Sequence, residues 1–133
     1  MKIHTRMLAT VLVCIGCIGG ASGATTTCSA DALASPGYAR AIQVVRELPE
    51  LTVWSRSHRF PVAFGESIDK QVRMQGRCYW SVSVYANRPE RLELWQIFYV
   101  ETSTKNLLVQ DAASSLAISL QQWRAQSDKS RLT

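Results

Sequence analysis

Residues 78–85 read CYWSVSVY and residues 92–101 read LELWQIFYVE, and these two stretches decide the fold. In the first, a strand's period of two puts Cys78, Trp80, Val82 and Val84 on one face and Tyr79, Ser81, Ser83 and Tyr85 on the other. The first of these faces is apolar, so it is the expected core side. The second stretch is apolar on both faces, with Leu92, Leu94, Phe98 and Val100 on one and Trp95, Ile97 and Tyr99 on the other. A central strand, or one covered on both sides, has this pattern. Residues 86–90 form the turn between the two strands, and residues 102–105 lead into a third, 106–111 (NLLVQD). Short turns between consecutive strands imply antiparallel pairing.

Working outward, Ser35-Pro36 supplies an N-cap and a proline at the first helical position. Tyr38, Ala41, Ile42, Val45 and Leu48 then recur at helical spacing, with Arg40, Gln43, Arg46 and Glu47 on the other side. Pro49 stops this helix, because the residue before a proline is pushed out of the α region. Residues 51–64 (LTVWSRSHRFPVAF) are β-branched and aromatic, which predicts an edge or irregular strand interrupted at Pro61. Residues 65–70 read as a loop, and residues 71–74 open another strand before Gly76. Near the end, Ser119 and Gln122 form a capping box, with Ile118 and Trp123 placed as a hydrophobic staple. A short helix over 120–126 follows, and residues 127–133 read as a frayed end. The expected fold is therefore α+β: an N-terminal amphipathic helix packed on an antiparallel meander of about four strands, then a short C-terminal helix.

The first 24 residues carry Lys2, His4 and Arg6, an apolar run over 7–18 and a small-residue exit, Ser22-Gly23-Ala24. This is the pattern of a cleaved secretory signal peptide, too short in its apolar part for the roughly 20 residues of a spanning helix. It predicts a periplasmic protein. Removing 24 of the 133 residues leaves a single domain of 109, residues 25–133. Of 15 Lys and Arg, Lys2 and Arg6 leave with the leader, so 13 bases face 10 acids and are scattered among them. That distribution argues against a nucleic-acid partner. Cys14 and Cys17 lie in the leader. Cys28 and Cys78 remain as an even pair in an oxidising compartment, which predicts one structural disulfide. Ile15-Gly16-Cys17 resembles the lipobox of bacterial lipoproteins, with Cys14 where leucine normally stands. A membrane attachment is expected only if Cys17 is lipidated.

No metalloprotease helix, nucleophile elbow, P-loop or dinucleotide fingerprint occurs. Two cysteines and one mature histidine, His58, fall short of a structural zinc site, so neither metal nor cofactor is expected. His58 reads as a surface residue of a basic turn: Arg56 and Arg59 flank it and would make it a poor general base. Glu66/Asp69 and Glu90/Glu93 read as solvated acids near turns. No catalytic residues are assigned. The aromatic residues point instead to binding, since interfaces are enriched in Tyr, Trp and Arg. Candidate partner-binding residues are Arg56, His58 and Arg59 in the proline-interrupted segment, with Tyr79, Tyr85 and Tyr99 on the sheet.

Trp80-x-Val82-x-Val84, a turn, then Phe98-x-Val100-Glu101-x-x-Thr104 with Leu107 following resembles the pattern of PepSY-type domains. The resemblance covers residues 38–111 and implies a helix on an antiparallel sheet, cystatin-like in shape. This chain departs from that family's V-D-x-x-T-G-x-[VI] hairpin at Glu101, in the aspartate's place, and at Lys105, in the glycine's. By size and address the chain is similar to small bacterial periplasmic inhibitor and immunity proteins. Such a protein is non-catalytic and neutralises a cell-wall-degrading enzyme or a secreted antibacterial toxin by occluding it. The rival expectations are a PepSY-like accessory domain binding a protease or envelope partner, and a small hydrolase. The sequence leaves the oligomeric state open.

Overall fold

The computed structural model describes Cys28 and residues 36–131. The leader, the lipobox cysteine and the Ser35 cap expected from the sequence lie outside these residues. Helix α1 (Pro36–Arg46) begins on its proline, whose missing N–H costs nothing at a helix start. Tyr38, Ala41 and Val45 turn into the core, and Ile42 packs beside them. Leu48 is extended (φ −68°, ψ 127°) but buried, so the apolar stripe continues past the helix end.

Pro49 stops α1 and also starts α2 (Pro49–Arg56), with Glu50 in its first turn. The strand expected over residues 51–64 is therefore corrected in its first half. Thr52, Val53 and Trp54 favour strands locally, yet Leu51 is buried and the Trp54 ring stacks on Trp95, their centroids 4.5 Å apart. That packing outweighs helix-propensity differences of roughly half a kcal/mol per residue.

Strands β1 (Val62–Met74), β2 (Arg77–Asn87), β3 (Leu92–Glu101), β4 (Leu107–Gln110) and β5 (Ala117–Ser119) form one antiparallel sheet in the order β1-β2-β3-β4-β5. There are thus five strands rather than about four. β1 absorbs the loop expected at 65–70, and its register with β2 shifts between Glu66 and Gln71. The β1–β2 hairpin turns on Gln75 and Gly76, both at positive φ (50° and 76°). Two-residue hairpin loops favour that backbone because its twist matches the strands. β5 is too short for a period to show in sequence. Helix α3 (Leu120–Arg131) then outlasts the expected 120–126.

The face assignment holds for β2 and is corrected for β3. Val84 pairs with Gln96 but Tyr85 pairs with Leu94, leaving Trp95 as an extra residue in a β-bulge. The bulge turns Trp95 toward Phe98, 5.8 Å between centroids, and sends Leu94 to the opposite face beside Tyr85. The core lies on the Trp80/Val82/Val84 face together with Phe98, Val100 and Val109. All three helices reach this face. Tyr38 of α1 meets Trp80 edge-on, Trp54 of α2 stacks on Trp95, and Trp123 of α3 stands against Phe98. Cys78 is bonded to Cys28 with Cα atoms 5.6 Å apart, closing the expected 50-residue separation.

Candidate functional site

The other face of the sheet carries none of these helices. Cross-strand pairing places Tyr85 opposite Leu94, Ser83 opposite Ile97, Ser81 opposite Tyr99 and Tyr99 opposite Leu108. The result is an aromatic and aliphatic surface on β2, β3 and β4. Leu92 and Leu94 are 55% and 50% exposed, whereas Ser81 and Ser83 are buried beneath the larger side chains. A charged or branched residue at 81 or 83 would lift those neighbours off the sheet. Burial also pushes the Tyr99 phenol above its ordinary value of 10.0.

Gly65 explains how the Tyr85 ring lies down on this surface. A Cβ at Gly65 would sit 2.7 Å from Tyr85 Cε2, closer than carbon atoms pack. The Gly65 carbonyl in turn accepts a hydrogen bond from the Tyr38 hydroxyl, 3.0 Å, which ties this strand to α1. At the end of the surface Glu101 is buried and accepts hydrogen bonds from Thr104, Asn106, Ser103 and Arg77. The Thr104 hydroxyl contributes most to holding its carboxyl below the ordinary range. These bonds fix the β3–β4 turn that borders the surface.

The sequence-predicted binding residues divide between two places. Tyr85 and Tyr99 are half-buried on the open face, while Tyr79 lies on the same face but is buried and offers a partner little surface. Arg56 ends α2, and Arg59 follows in the turn; both are exposed, on the helix-bearing side of the sheet. His58 is half-buried in that turn. Its Nδ1 accepts a hydrogen bond from the Phe60 backbone N–H, 3.2 Å, and its ring meets Trp54 edge-on at 4.3 Å. The structure therefore does not bring the Arg56–Arg59 segment and the tyrosines into one patch. Leu92 and Leu94 belong to the open face and were missed, because a bulge leaves no mark in the alternation it breaks.

A concavity of about 540 Å³ lies between α2 and α3, walled by Trp54, Trp95 and Trp123. At its rim Arg124 donates to the Glu50 carboxylate, and that bond holds Glu50 below the usual carboxylate range. Sequence spacing does not reveal this cleft, since its walls come from residues 49–57, 95 and 123–128. Among the described residues no group of three or more His, Cys, Asp or Glu is placed to hold a metal ion. No helix among them is long and apolar enough to cross a membrane. Comparison of the chain with protein-family models, with curated proteins and with solved structures finds no match.

Proposed function

We propose that this chain is a non-catalytic binding protein of the bacterial envelope, exported to the periplasm, that occludes a cell-wall-degrading enzyme or an antibacterial toxin as an inhibitor or immunity protein. The single observation that carries the reading is the open sheet face, where Leu94 stands half-exposed opposite Tyr85, Leu92 is half-exposed next to it, and Ile97, Tyr99 and Leu108 continue the surface. A contiguous apolar and aromatic surface on a small domain is a binding liability unless something covers it. Tyrosines held on a rigid sheet also present large contact area at low entropic cost. The leader-like first 24 residues support the address, and the disulfide supports an oxidising compartment. The order of helices followed by an antiparallel meander is also compatible with the PepSY-like resemblance.

The test is capture of a partner from envelope and secreted-toxin fractions, followed by assay of that partner's activity with and without the chain. Inhibition is expected. Leu94→Asp and Tyr99→Ala should each weaken binding by about 2 kcal/mol or more while leaving the melting temperature within a few degrees. A captured partner whose binding ignores both substitutions would move the interface off this face. A chain that turns over a cell-wall substrate by itself would overturn the non-catalytic reading.

A further inference from the structure

The tryptophan cleft between α2 and α3 lies on the opposite side of the sheet from the proposed interface, and its chemistry is different. Trp54 and Trp95 are stacked with planes 9° apart, and Trp123 meets Trp95 at 69° with centroids 6.1 Å apart. All three rings are half-buried, so each keeps indole surface toward the cleft.

The polar groups of the cleft are lopsided. Its hydroxyls are turned to the backbone, Ser57 donating to the Trp54 carbonyl at 2.6 Å and Ser127 to the Trp123 carbonyl at 3.1 Å, and Arg124 donates through Nε and Nη2 to the Glu50 carboxylate. Asp128 also lines the cleft, is exposed, and has no partner among the described residues. Arg124 and Glu50 neutralise one another, which leaves one net negative charge beside three electron-rich rings. A neutral sugar would leave the charge of the Asp128 carboxylate unanswered. An anion would meet the Asp128 carboxylate. A planar cation with several N–H groups satisfies both halves of the site, stacking on indole and donating to carboxylate.

We propose that this cleft is a binding site for the guanidinium of an arginine side chain presented by a protein ligand, held against the tryptophans and by Asp128. Arginine fits better than lysine because its flat, weakly hydrated head stacks and forks at once. The site is independent of the open sheet face, so either proposal can fail without the other.

The probe is a blocked arginine amide titrated into the disulfide-intact protein at low salt, read by the indole N–H signals in a two-dimensional NMR spectrum. Signals of Trp54, Trp95 and Trp123 should shift saturably, with half-saturation on the order of millimolar for so small a ligand, while core Trp80 stays still. The isosteric but uncharged citrulline amide should give no saturable shift. Asp128→Asn, an exposed substitution, should weaken arginine binding at least fivefold with the melting temperature unchanged. Equal binding of citrulline, undiminished binding by the asparagine variant, saturation by N-acetylglucosamine in place of arginine, or no saturation by arginine would each overturn the assignment.

Discussion

Glu101 shows how one residue couples charge to folding. Its carboxylate gathers hydrogen bonds from Thr104, Asn106, Ser103 and Arg77, and its folded-state pKa is lowered. Asp111, held by the Ser114 hydroxyl, and Glu50, held by Arg124, are lowered too. A depressed carboxyl pKa adds stability that is fully present above the unfolded-state value, 4.5 for glutamate, and is lost as pH falls through the folded value. Thermal melts should therefore be flat near neutrality and fall once pH drops below that range. Glu101→Gln should shallow the acid slope; an unchanged slope would show that its hydrogen bonds are not formed in solution. Phe98, fully buried against Trp95 and Trp123, is the largest side chain with no exposure among the described residues, and Phe98→Ala should cost about 3–5 kcal/mol in urea unfolding.

Elements here depend on a few backbone devices. In the β1–β2 hairpin Gln75 sits at φ 50°, a left-handed conformation that costs a glutamine about 1 kcal/mol but suits asparagine. Gln75→Asn should stabilise the fold by up to about 1 kcal/mol, measured as a higher melting temperature. Helix α3 begins with its capping box formed in both directions, Ser119 Oγ accepting from the Gln122 N–H at 3.1 Å and Gln122 Oε1 from the Ser119 N–H at 3.0 Å. Ser119→Ala should remove about 1 kcal/mol. Both capping-box residues were legible in sequence because they act within four positions. The β3 bulge was not, since it depends on pairing with β2 and changes the side of Leu94 and Trp95 without altering their hydrophobicity.

For the whole molecule, the Cys28–Cys78 disulfide ties a residue before α1 to the start of β2 across 50 positions. In the chain-entropy account, closing such a loop in the unfolded state is worth about 4 kcal/mol. Reduction should lower the urea midpoint by a corresponding amount, and thiol titration of the unfolded, unreduced chain should find neither of these two cysteines free. The pair was legible from cysteine arithmetic, just as α1, the inward face of β2 and the start of α3 were legible from periodicity and caps, because those signals are local or depend on counting. Sequence thus determined the α+β class, the helical stripe Tyr38–Ala41–Val45 and the side of the sheet that Val82 and Val84 occupy. Only the tertiary structure decided that residues 49–56 coil into α2, that Trp95 turns inward while Leu94 turns out, and that three tryptophans distant in sequence wall one cleft. In each case the deciding contribution is a contact between segments far apart in the chain, larger than local preferences and invisible to any window along it.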